Sequence, residues 1–476
     1  MTPLQVVIPM SGVGDRFRKA GYTQPKPLLD VAGQPLIARL LANFPKDCRF
    51  VFICNEEHLR DTPLRQVLLA QAPRAEIVGI PGHKLGPVHT VLQGVDKIAD
   101  DLPTLVNYCD FSFSWKFEDF LAFTRSSSCQ GAILCYRGFH PHYLRTTLYA
   151  YCREEAGRVL EVREKGHFTP DRTKEFASSG SYYFSSGKLV KTYFAKAVEE
   201  GLKTNGEYYV SLVYNLLIRD HLDVRVYEIP FFLQWGTPED LEDYLYWHRA
   251  FENFARQDKT STISGIRLIM PMAGLGSRFQ GESLPKPLIP VLGQPMYKTA
   301  QRFLPVRRSS PILILRSEIE PMVRSTAGDA ELVVLPGPTP GQADTTLVGV
   351  LKADPEEPVI VSACDHGLLW DAEKWEVLMR ERPDVVVVGQ RGYPGARRTP
   401  MAFAYIDADF GGRINAVSVK RPKTSQPQNE LVLVGTFWRR NAIGTSRTTG
   451  KPLHSNCRQG PLRKARIITR RAAISI

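Results

Sequence analysis

The string Gly12-Val-Gly14-Asp-Arg16, followed by Pro25-Lys26-Pro27, brings together groups suited to holding phosphate. Two glycines let backbone N–H groups approach an anion, and Arg16 and Lys26 supply two cations beside them. The prolines bracketing Lys26 restrict the backbone around it, which suits a lysine anchoring a transferring phosphate. A lone G-x-G is more often a tight turn. It is not the dinucleotide fingerprint, since Phe17 stands where a third glycine is required, and no Gly-Lys-Ser/Thr closes it as a P-loop. Recurrence raises it above a turn. Gly274-Leu-Gly276-Ser-Arg278 and Pro285-Lys286-Pro287 repeat the pattern in the same order.

Asp110 directly follows an apolar run and recurs as Asp365, each after a cysteine. A carboxylate at the end of a strand can hold Mg2+, which takes oxygen ligands and often only one or two from protein. A turn or helix-cap aspartate is the plainer alternative.

The elements that must position these residues alternate. Leu4–Ile8, Arg49–Cys54, Glu76–Ile80 and Thr104–Tyr108 read as buried strands. Pro35–Phe44, His58–Ala72 and Val88–Ala99 carry helical spacing between them. Such alternation predicts an α/β fold with a mostly parallel sheet, and ligands beyond the carboxyl ends of its strands. Every candidate motif here follows a strand.

A second module repeats the first at one offset of 255 residues: Gly86–Leu92 matches Gly341–Leu347, Val106–Asp110 matches Val361–Asp365, and Ser179–Phe184 matches Val434–Arg439. The expected organisation is an active domain over residues 1–250, a polar linker over 251–265, and an incomplete, inactive copy over 266–438. The correspondence stops after Trp438. No counterpart of Asn205-Gly-Glu-Tyr-Tyr-Val210 or of Leu233–Leu241 follows. Residues 439–476 read as a disordered basic tail or as the product of a frameshift.

That tail holds ten Lys/Arg and no acidic residue, so it carries +10 of the formal +12. The rest of the chain is near neutral and lacks the electrostatic footprint of a nucleic-acid binder. No apolar run approaches a membrane span, and the strand-like run Leu4–Ile8, with no basic stretch before it, leads us to expect no export. The eight cysteines show no C-x-x-C pair or zinc spacing. A cytoplasmic protein with reduced thiols is expected, its oligomeric state open.

These motifs resemble the sugar-1-phosphate nucleotidylyltransferases, of the Rossmann-like, GT-A-like nucleotidyltransferase fold. The resemblance covers Leu4 to about Leu241 and about Arg267 to Trp438. It implies that Gly12, Gly14 and Arg16 cradle the nucleotide phosphates and that Lys26 holds the reacting phosphate. Gly86 and Thr90 match the segment beside the nucleobase, and Asp110 the metal ligand. Glu164 and Lys165 match a Glu-Lys pair near sugar and phosphate, Gly180 a sugar-side glycine, and Glu207 a sugar contact. Mg2+, an NTP and a sugar 1-phosphate are the implied cofactor and substrates.

One departure stands out. Family members usually place a second metal-ligating aspartate where this chain has Gln234. An amide can offer Mg2+ an oxygen but not a charge. The Leu233-Gln-Trp-Gly-Thr motif resembles a branch active in capsule or polysaccharide biosynthesis. Two other readings remain: a nucleotide or nucleotide-sugar binder without turnover, and a cytidylyltransferase acting on a non-sugar phosphate such as phosphocholine. The second module keeps Arg278, Lys286 and Asp365 but has Val419 in place of Glu164. The H-x-H of Phe139-His-Pro-His142 lacks further ligands, and His83 and His89 read as structural. Tyr182, Tyr183, Tyr208 and Tyr209 could line a sugar pocket or simply fill half-buried strand positions.

Overall fold

A computed structural model of the chain describes residues 4–140, 149–256, 265–279, 281–304, 310–354, 356–368, 372–381, 383–409, 411–438 and 465–470. The chain divides into two compact units, Met1–Leu245 and Tyr246–Ile476.

The first unit contains β1 (Gln5–Met10), β2 (Asp30–Val31), β3 (Gln34–Pro35), β4 (Arg49–Asn55), β5 (Glu76–Ile80), β6 (Thr104–Asn107), β7 (Phe111–Ser114), β8 (Gly131–Tyr136), β9 (Tyr151–Glu155), β10 (Arg158–Arg163), β11 (Phe176–Phe184), β12 (Val224–Glu228) and β13 (Phe231–Gln234). Nine form one sheet in the order β5-β4-β1-β6-β11-β8-β12-β10-β9. The α/β class is as the alternation predicts, but the sheet is mixed. β5, β4, β1 and β6 run parallel, whereas β11 is antiparallel to β6 and β8.

The continuous apolar runs follow from burial on both faces. Along β4, Phe50, Phe52 and Cys54 pack into one layer and Val51 and Ile53 into the other. β1 divides likewise, with Val6, Ile8 and Met10 on one face and Val7 on the other. The helix expected over His58–Ala72 is two helices, Glu56–Asp61 and Leu64–Gln71. Thr62 between them is extended because Pro63 disfavours helical backbone before it. The helix Pro238–Arg256 runs six residues into the segment read as a linker. Its first turn is set by Thr237, whose hydroxyl accepts from the Asp240 N–H at 3.2 Å.

The second unit contains β14 (Arg267–Pro271), β15 (Pro290–Val291), β16 (Gln294–Pro295), β17 (Ile312–Arg316), β18 (Glu331–Leu335), β19 (Val359–Val361), β20 (Val385–Gln390), β21 (Ala404–Ala408), β22 (Ile414–Val419), β23 (Leu431–Trp438) and β24 (Ala465–Arg470). Its main path, β18-β17-β14-β19-β23-β20-β24, has the strand order and directions of β5-β4-β1-β6-β11-β8-β12. The tail expected to be disordered therefore supplies a strand: Ala465–Arg470 lies parallel to β20, as β12 does to β8. The other tail residues lie outside the described ones. No helix among the described residues is long and apolar enough to cross a membrane.

Candidate functional site

A cleft of about 560 Å3 opens in the first unit beyond the carboxyl ends of β1 and β6. All twelve residues singled out from the sequence line it: Gly12, Gly14, Arg16, Lys26, Gly86, Thr90, Asp110, Glu164, Lys165, Gly180, Glu207 and Gln234.

The glycine loop leaves β1 and turns into the short helix Asp15–Lys19, with Gly14 left-handed at φ 69°. Lys26 opens a single 3-10 turn behind Pro25. Its Nζ donates to Asp110 Oδ2 at 2.6 Å and to the Gly236 carbonyl at 3.0 Å. It also lies 5.5 Å from the centre of the Phe17 ring. The phenylalanine that spoils the dinucleotide pattern is thus a buried prop for the lysine. Arg16 is exposed at the cleft. Asp15 beside it pairs with Arg18 at 2.7 Å and with Lys84, and its hydrogen bond to Lys84 holds its carboxyl down at about 2.

Gly86 and Thr90 sit where a loop crosses the amino end of the helix Pro87–Gln93. Thr90 Oγ1 lies 2.7 Å from Ser11 Oγ and 3.2 Å from His83 Nε2, and donates to the Gly86 carbonyl at 3.2 Å. His83 Nδ1 accepts from the Leu85 N–H at 3.1 Å, so in the neutral ring Nε2 carries the proton. His83 therefore props the loop, as expected for a structural histidine. Its engagement with Ser11 had no signal in the sequence, because the two are joined only through the sheet.

Lys165, also in the lining, has φ 58° and donates from Nζ to the Tyr209 hydroxyl at 2.6 Å. Glu207 ends a tight turn in which Asn205 and Gly206 have φ 53° and 84°, the Asn-Gly preference of a hairpin turn. Gly180 makes a bulge in β11 at φ 96°, and a Cβ there would lie 2.9 Å from Phe111. Tyr182 and Tyr209 line the cleft, whereas Tyr183 and Tyr208 are buried outside its lining.

Glu164 accepts from the Ser211 hydroxyl at 2.6 Å. Burial pushes its carboxyl up to about 7 despite that bond and the Lys165 charge. The folded state therefore holds a proton that the unfolded chain loses above about 4.5, and Glu164 destabilises increasingly as pH rises from about 4.5 to about 7, and by a constant amount above that. Glu164→Gln is expected to melt with the wild type at pH 5 and to be more stable by about 1–3 kcal/mol at pH 8. Thermal unfolding at the two pH values checks this; an equal offset at both would contradict it.

Gln234, expected to help ligate a metal, is only 7% exposed and committed at both ends. Its Oε1 accepts from the Tyr149 hydroxyl, and its Nε2 donates to Asp240 Oδ1 at 2.8 Å. Asp240 in turn accepts from Thr237 Oγ1 at 2.7 Å. Gln234 thus bridges Tyr149 to the helix cap, and Asp110 remains the carboxylate at Lys26. No cluster of three or more metal-ligating side chains occurs among the described residues. One hard carboxylate beside the glycine loop still fits Mg2+, because that ion often takes most of its ligands from phosphates and water. Elsewhere, His140 Nε2 lies 3.1 Å from the Phe232 carbonyl and His142 lies outside the described residues.

Residues 6–169 match the MobA-like NTP transferase domain. The chain contains an NTP transferase domain, and the enzymatic activity of that class is nucleotidyl transfer. The match runs from the glycine loop through Lys26, Asp110 and the Glu164-Lys165 pair. Among solved structures, the chain resembles the nucleoside-diphosphate-sugar pyrophosphorylase from Vibrio cholerae RC9 at 23% identity and TM-score 0.44, over 51% of this chain and 100% of that one. It resembles HddC from Yersinia pseudotuberculosis at 16% identity and TM-score 0.38, over 52% and 100%. It also resembles a UDP-glucose pyrophosphorylase complexed with UDP-glucose at 15% identity and TM-score 0.41, over 53% and 100%. No curated protein matches the chain.

In the second unit, Lys286 Nζ pairs with Asp365, and His366 Nδ1 lies 3.5 Å from the same carboxylate. The His366 hydrogen bond and the Lys286 ammonium hold Asp365 well below the usual carboxylate range. Val419, at the place of Glu164, is 66% exposed.

Proposed function

We propose that the first unit transfers a nucleoside monophosphate from an NTP to a sugar 1-phosphate, with Mg2+ as cofactor and release of pyrophosphate. One observation carries this reading. A single cleft is lined by the glycine loop, Lys26 and Asp110 and also by Glu164, Lys165 and Glu207. The first set suits a triphosphate, and the second offers hydrogen-bonding groups for a polyhydroxyl acceptor.

The acceptor is a phosphate monoester whose second pKa is near ~6, so its oxygen is already anionic at neutral pH. No general base is needed. The barrier is the approach of two anions in line at the α-phosphorus. Arg16 and Lys26 lower it by neutralising charge, and the walls of the cleft align the reactants. Mg2+, held by Asp110, would supply further neutralisation of phosphate charge when bound. The carbonyl of Gly236 and the ring of Phe17 keep Lys26 aimed at the loop. The activated sugar would serve cell-surface or capsular polysaccharide synthesis from a cytoplasmic enzyme. The matching strand orders of the two units support a duplicated domain, and Val419 in place of Glu164 supports reading its second copy as inactive.

Pyrophosphate release across a panel of NTPs and acceptor phosphates tests the reading. The expected result is release with at least one sugar 1-phosphate and none without an acceptor. Release with only an alcohol phosphate such as phosphocholine would replace the sugar reading. The commitment of Gln234 to Tyr149 and Asp240, with no second carboxylate in its place, favours a second reading as a nucleotide binder without turnover. Nucleotide binding with no release from any pair would establish that one.

A further inference from the structure

The second unit repeats the lysine–carboxylate pair and the glycine loop of the first cleft, but not the groups placed around its acceptor. Gly276, after β14, is left-handed at φ 63°, and a Cβ there would lie 3.0 Å from Lys286 Cβ. Lys286 Nζ lies 5.6 Å from the Phe279 ring centre, as Lys26 lies 5.5 Å from Phe17. Its partner Asp365 corresponds to Asp110, and the two side chains are 19% and 34% exposed, so both can be reached by a ligand. Thr345 Oγ1 donates to the Gly341 carbonyl at 3.2 Å, the distance of the Thr90–Gly86 bond. Lys420 has φ 55°, against 58° for Lys165. Arg278 is exposed at the loop and makes no ion pair among the described residues.

The acceptor-facing groups are missing. Val419 can accept no hydrogen bond where Glu164 does, and residues 439–476 contain no counterpart of Glu207 or Tyr209. Two cations and a glycine loop beside one carboxylate hold a polyphosphate with its divalent ion; they give no purchase to a second substrate.

We propose that the second unit binds the triphosphate of a nucleotide, as its magnesium salt, through Arg278, Lys286 and the Gly274–Gly276 loop, without turning it over. The proposal rests on reading the matching groups of the first unit as a phosphate site.

Calorimetric titration of the full chain with magnesium tripolyphosphate, which carries no base or sugar, tests it at about 150 mM salt. Wild type is expected to take up two equivalents, and Lys26→Met and Lys286→Met one each. Arg278→Met, at an exposed position where folding is not at stake, is expected to weaken one of the two sites by about tenfold or more. A single equivalent lost in Lys26→Met but intact in Lys286→Met overturns the proposal and leaves the reading of the first unit standing. A single equivalent lost only in Lys286→Met does the reverse. A second equivalent that persists in both Lys286→Met and Arg278→Met also overturns it, since the ten cations of residues 439–476 then account for that uptake.

Discussion

Lys26→Ala is expected to lower the rate of pyrophosphate release by about 10²–10³-fold. The size follows from what the ammonium touches. It is three-quarters or more withdrawn from solvent, held 2.6 Å from Asp110 Oδ2 and 3.0 Å from the Gly236 carbonyl. A cation fixed in that way needs no reorganisation as charge moves onto the departing pyrophosphate, which is why single preorganised donors have effects of this order. Its removal also leaves Asp110 without its partner at the place where a metal would be held. Single-turnover measurements with saturating substrates check the expected rate. An unaltered rate of pyrophosphate release would refute the role.

Gly86→Ala should damage both substrate sides at once, by about 3 kcal/mol or a hundredfold in kcat/KM. Gly86 has φ 92° and ψ 173°, a region that residues with a Cβ avoid. The added methyl would lie 2.7 Å from both the N and the O of Tyr208. Those atoms are themselves fixed, since the Tyr208 N–H donates to the Leu85 carbonyl at 2.9 Å and its carbonyl accepts from the Val88 N–H at 3.2 Å. Backbone cannot rotate away as a side chain can. The loop and residue 208 must separate, and they carry Glu207 and Tyr209 with them. Thermal unfolding and steady-state kinetics together read the effect. Gly12→Ala is the control for the fold: its Cβ would meet nothing within 4 Å, so its melting temperature should match wild type.

Much of the site was legible because its residues follow strands. Gly12, Gly14 and Asp110 could be placed at carboxyl ends from the apolar runs before them, and Lys26 from its flanking prolines. Periodicity likewise found β5 at its observed bounds. It missed the break at Thr62-Pro63, where proline chemistry overrides a continuous apolar spacing. It also overstated the parallel character of the sheet, because a buried strand has the same pattern in either direction and only tertiary pairing gives β11 its antiparallel sense.

Residue types and spacing by themselves determined that this chain carries an α/β fold, a glycine loop with two cations beside it, and that arrangement twice. Chain-local chemistry decides those features: glycine freedom, proline restriction and apolar runs act over a few residues. Only the tertiary structure decided what each group faces. It joined Ser11, His83 and Thr90 across the sheet, raised the Glu164 carboxyl by burial against the opposing bond from Ser211, and linked Gln234 to Tyr149 and Asp240. Hydrogen bonds and desolvation depend on distances between residues far apart in the chain, and only folding sets those distances.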